Sequence, residues 1–193
     1  MNSKQQKKHE ADFPSNLETF EGNAAAIVSK LEQRKIEDKP TVEKCSQSIL
    51  IAMGALAKRV NDRDDRNGQI RAIMGDLLAN TVAMAYVSNG IAARAYELTA
   101  GTVLPFGGAF TGLMQSTFCQ YRVHAASYDL EKMLQGENPI SQEWFEKLSH
   151  ERAESLANLY KALRTFAMEF DLDLESCLSH GLKRMNNGIG VIA

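Results

Sequence analysis

Apolar residues recur three and four positions apart along most of this chain, the spacing that puts them on one face of an α-helix. Leu17, Phe20, Ala24, Ile27, Val28 and Leu31 make the first such stripe. Ser15 and Glu18 stand before it with capping-box spacing, so the pattern predicts a first helix over 15–34. Residues 1–14 are mostly polar and end at Pro14, and are expected to form a disordered tail. Lys39-Pro40 breaks the chain, because proline restricts the residue before it. A second helix over 41–60 then presents Cys45, Ile49, Met53, Leu56 and Val60 on one side. After the polar turn 61–68, a third shows Ile70, Ile73, Met74, Leu77, Leu78, Met84 and Ala85, and Asn89-Gly90 ends it.

The pattern weakens after residue 90. A shorter helix is expected over 91–98, followed by a glycine-rich stretch over 100–112 in which Val103, Leu104, Phe106 and Phe110 should be buried. A long helix over 109–134 is stopped by Gly136, and Ser141 caps a short helix containing Trp144. The clearest stripe is Leu156, Leu159, Tyr160, Leu163, Phe166, Ala167 and Phe170. Asp171 or Asp173 caps a last helix that frays around Asn186-Asn187-Gly188. Only 102–106 and 189–192 have any β character. The expected fold is therefore all-α, a multi-helix bundle of about seven helices. It would occupy 15–188 as a single domain, or as two packed halves over 15–100 and 109–188, with 189–193 as a tail.

Composition narrows the class. At 193 residues, 44% hydrophobic and 24% charged, the chain reads as an ordinary globular protein with ample length for a core. A formal charge of −2 speaks against general nucleic-acid binding, which needs a concentrated basic field. Cys45, Cys119 and Cys177 are far apart, and each is expected to be a reduced core cysteine. Residues 1–9 lack the apolar core of a secretory signal. The most apolar window, 70–95, is interrupted by Asp76, Asn80, Asn89 and Arg94, so no membrane span is expected and the location is read as cytoplasmic.

One stretch carries a resemblance. Leu50-Ile51-Ala52-Met53-Gly54-Ala55-Leu56-Ala57-Lys58, followed on the next helix by Gly75-Asp76, resembles the helix pair of MazG-like nucleoside triphosphate pyrophosphohydrolases. Those enzymes hold Mg²⁺ with carboxylates that face one another across two helices, since a hard cation takes oxygen ligands. The resemblance implies a helical-hairpin core, a nucleotide ligand and dimeric assembly. Here its glutamate positions fall on Ile51, Ala52, Ala55 and Ile73, and only Asp76 keeps an acid. A second echo aligns Gln120, Tyr121 and His124 with the glutamate triplet, and Ser155 and Asn158 with the facing acids. On that alignment the chain would be a degenerate tandem mimicking a dimer.

Other chemistry fails on spacing. From Asp62, a calcium loop would need glycine at its sixth place and an acid at its twelfth; Asn67 and Ile73 stand there. His150-Glu151 begins like a zinc-protease helix, but Glu154 stands where the second histidine belongs. Arg59, Arg63, Arg66 and Arg71 gather at the 61–68 turn among Asp62, Asp64, Asp65 and Asp76, as a salt-bridged turn or a phosphate contact.

The leading reading is a non-catalytic MazG-like helical protein that binds a nucleotide-like ligand or a protein partner. Its ligand-binding candidates are Asp76, Arg59, Arg71 and Asn80, with no catalytic residue, no metal site and no cofactor. It is expected to be a homodimer formed through the hairpin over 41–88. One alternative is a metal-dependent pyrophosphohydrolase with a rearranged Mg²⁺ site built from Asp76, Glu97, Glu151 and Glu154. Another is a helical protein–protein interaction module or inhibitor without a small ligand.

Overall fold

Six helices make up a computed structural model that describes residues 13–35, 38–62, 68–88, 108–134 and 141–188. They are α1 (Phe13–Glu32), α2 (Val42–Asp62), α3 (Gln69–Val87), α4 (Ala109–Leu134), α5 (Gln142–Glu169) and α6 (Leu174–Asn186). The fold is all-α, with no strand among the described residues. The tail over 1–12, the short helix expected over 91–98, and the segments 102–106 and 189–193 lie outside the described residues.

Two helix boundaries differ from the pattern's expectation. α1 runs Phe13–Glu32, so Ser15 stands inside the helix rather than before it; Pro14 suits a first turn because its missing N–H has no partner there anyway. The short helix capped by Ser141 and the Leu156–Phe170 stripe are one 28-residue helix, α5. Neither glycine nor proline interrupts it, and Leu148 and Ala153 carry the buried stripe across the join. Elsewhere local chemistry sets the ends. Thr41 accepts from the Lys44 amide at the start of α2, and Ser141 from the Trp144 amide at the start of α5. Asp173 caps α6 by accepting from the Ser176 amide at 3.0 Å. Asp171 instead takes the left-handed conformation that closes α5, with the Leu172 amide reaching back to the Ala167 carbonyl at 2.8 Å.

α3 lies at the centre. Thirteen of its nineteen residues are buried, because α1, α2, α5 and α6 all pack on it. A helix that is apolar on every side must be covered on every side. By length and composition α3 would also span a bilayer, contrary to the sequence reading, but most of it is enclosed by the other helices. One apolar core joins all six helices, with Ile27, Ile49, Leu56, Met74, Leu77, Leu156, Leu163 and Phe166 fully buried. Phe166 stacks on Phe170 with ring centroids 4.3 Å apart. α6 reaches α3 at Gly75 and Gly181, where neither helix has a side chain to hold the other away. α4 and α5 form an antiparallel pair beside this centre, and α4 also touches α2.

Cys45 and Cys177 are core residues, and burial pushes both thiols up to about 12; the positive field of Arg71 only partly offsets this at Cys177. Cys119 departs from expectation. It lies on the exposed side of α4, because the helix turns Thr117 and Gln120 inward instead.

Candidate functional site

The helical repeat brings Ala55, Lys58 and Arg59 to one side of α2, and Gln69, Ala72, Ile73 and Asp76 to one side of α3. The two sets face each other near the 61–68 turn. The last turn of α6 adds Arg184, and together these residues line a groove of about 280 Å³. That is at the low end for small-molecule sites, room for phosphoryl groups and little more.

A forked ion pair organises the groove. Arg184 donates through Nε to Asp76 Oδ1 at 2.9 Å and through its terminal nitrogen to Oδ2 at 3.1 Å. Both carboxylate oxygens are engaged, and the Asp76 side chain keeps only 13% of its surface exposed. Such two-point pairs fix the guanidinium in plane and direction. With Asp76 neutralised by Arg184, the lining retains the charges of Lys58 and Arg59. The site is basic.

The expected ligand residues divide. Asp76 and Arg59 share the groove. Asn80 lies one turn beyond Asp76 and is wholly buried, its amide donating to the Asp76 carbonyl at 2.8 Å, so it cannot meet a ligand there. Arg71 is exposed on the opposite side of α3, near Cys177 rather than Asp76. Arg63 and Arg66 lie outside the described residues. Lys58 and Arg184 were not among the candidates. Lys58 had a local signal, one position before Arg59; Arg184 had none, being 108 residues away from Asp76.

Of the positions where the resemblance calls for acids, Ala55 and Ile73 do line the groove with Asp76, while Ile51 is 73% exposed and Ala52 is buried. Glu151 and Glu154 are exposed on α5, and Glu97 lies outside the described residues. Among the described residues no three His, Cys, Asp or Glu side chains come together. Of the second set of aligned positions, Gln120, His124 and Ser155 are buried, Asn158 is half-buried and Tyr121 is exposed on α4.

No known protein family matches this chain, and no curated protein or solved structure matches it either.

Proposed function

We propose that this is a cytoplasmic, non-catalytic binding protein that takes the phosphate end of a nucleotide-like ligand in the α2–α3–α6 groove. The observation that carries the reading is that Lys58, Arg59 and Arg184 line one groove whose single carboxylate, Asp76, is already neutralised by Arg184. Guanidinium and ammonium groups match phosphate oxygens in charge and in hydrogen-bond direction. Ala55 and Ile73 give the groove apolar walls where a metal site would need oxygens. The MazG-like ancestry proposed from the hairpin is compatible with such a groove but is not required by it. Calorimetry with ATP and ADP in EDTA tests the reading. Binding should be metal-independent and weaken at least tenfold in Lys58→Glu and Arg59→Glu. Absence of binding refutes it, and Mg²⁺-dependent pyrophosphate release would select the enzyme alternative.

A second reading, association with another copy, is favoured by one observation. Met114, Phe118 and Tyr121 stand exposed in a stripe on α4, and Ile51 stands exposed on neighbouring α2. Light scattering should give about twice 21.4 kDa for the wild type, and Phe118→Asp with Ile51→Asp should halve it.

A further inference from the structure

The buried edge of α4 and its two flanks lie one residue apart along the chain. Ala109, Leu113, Thr117, Gln120 and His124 form the buried edge. One position further on stand Phe110, Met114, Phe118, Tyr121 and Ala125, of which Met114, Phe118 and Tyr121 are exposed. One position back stand Gly112, Ser116 and Cys119, which line a groove of about 290 Å³ against Ser155 and Asn158 of α5. The most apolar of the three sets is therefore not the one inside. Thr117 is satisfied within the helix, donating to the Leu113 carbonyl at 2.8 Å. Both amide atoms of Gln120 and both ring nitrogens of His124 are buried with no hydrogen-bond partner among the described residues. Folded proteins almost always pair such groups, because each one stripped of water without replacement costs at least what a hydrogen bond is worth.

A turn of one residue, roughly 100° about the helix axis, exchanges the sets. It brings Met114, Phe118 and Tyr121 to the inner positions of Leu113, Thr117 and Gln120. The same turn carries Gln120 and His124 to the flank where Cys119 is exposed and Val123 half-buried, beside the polar side chains of the groove. α4 packs chiefly on α5 and more lightly on α2, so few contacts oppose the motion. Its first turn is held by the Ala109 amide, which donates to Glu169 at 3.0 Å. A one-residue step offers the Phe110 amide in its place.

We propose that α4 is an acid-driven switch that turns about its own axis, hiding Met114, Phe118 and Tyr121 and releasing Gln120 and His124 into the α4–α5 groove. In the buried position, desolvation first and the Arg152 charge second hold the His124 imidazole down to about 4. Glu151 and Glu154 of α5 are exposed, and the buried side chains of α2, from Cys45 and Ser46 to Met53 and Leu56, carry no charge. Among the described residues, neither helix packed on α4 offers the ring a buried carboxylate. At the groove flank the ring regains water and its ordinary 6.5. Falling pH between these values therefore favours the turned state, by on the order of a hundredfold in all. The device lies on different helices from the Asp76 groove and does not depend on that groove's ligand.

Thiol labelling reads the turn. In a Cys119→Ser background, Thr117→Cys and Met114→Cys put one reporter on the inner edge and one on the outer stripe, while buried Cys45 and Cys177 report unfolding of the core. The reagent is a dithiodipyridine, which reacts in acid, and each rate is taken relative to a free thiol. From pH 7 to pH 4.5 the rate at Thr117→Cys should rise at least tenfold and that at Met114→Cys fall at least tenfold, with Cys45 and Cys177 silent. His124→Phe should hold both rates at their neutral values. Both reporters speeding up together means that α4 opens or the chain unfolds, according to whether Cys45 and Cys177 follow, and either result overturns the inference. Rates that acid leaves unmoved, or a response that survives His124→Phe, overturn it as well.

Discussion

Gly75 of α3 and Gly181 of α6 meet backbone to backbone. A Cβ on Gly75 would lie 2.8 Å from the Gly181 nitrogen and nearer still to the Cys177 carbonyl oxygen; one on Gly181 would lie 2.7 Å from the Gly75 carbonyl carbon. Backbone atoms inside two helices cannot swing aside as a flexible side chain would. Gly75→Ala and Gly181→Ala should therefore each destabilise the protein, by roughly 1–3 kcal/mol and toward the upper end. Gly54, on the exposed side of α2 with nothing near it, is the control: Gly54→Ala should stabilise by up to about 1 kcal/mol through helix propensity. Chemical denaturation of the three variants checks the contrast. All three moving in the same direction would mean that the helices do not cross at these glycines.

The forked Asp76–Arg184 pair leads to an expectation opposite to that for a catalytic acid. Asp76→Ala should leave the fold intact, at a cost of about 1 kcal/mol for a partly exposed pair. It should also release Arg184 and strengthen phosphate binding in the groove several-fold. Calorimetry on the variant reads both sign and size; weaker binding would show that Asp76 itself contacts the ligand or a metal.

Leu163 and Phe166 are fully buried in α5, within the one core that all six helices share. Truncating either to alanine removes transfer energy and leaves a cavity, for roughly 2–5 kcal/mol. Melting curves unchanged for both variants would place the stripe on a surface instead.

His124 sets an acid limit on stability. Its folded pKa of about 4 lies below the ordinary 6.5, so the unfolded chain takes up the proton first. The contribution of the neutral ring is complete above pH 6.5 and is lost as pH falls toward 4, on the order of 3 kcal/mol in all. Denaturation across this range in phosphate-free buffer should show that slope in the wild type and a shallower one in His124→Phe. Equal slopes would place the titration elsewhere.

What could be read from the chain alone is whatever depends on neighbours a few positions away. Leu156, Leu159, Leu163 and Phe166 announce a buried helical face because the helix repeat brings them together whatever else the chain does. Asp173 acts as a cap by reaching an amide three residues on. Arg59 and Asp76 were legible as a pair at one hairpin for the same reason. Tertiary packing decided the rest. Arg184 joins Asp76 across 108 residues because two glycines let α6 lie against α3, and no local pattern encodes that approach. Asn80, one turn from Asp76, reads in the chain as a ligand residue, yet the enclosure of α3 by its neighbours buries it completely. α4 turns Gln120 and His124 inward and Phe118 outward, against its own amphipathic preference, because its rotation is set by α2 and α5. Helical periodicity says which residues share a face; only the packing of one helix on another says which face is inside.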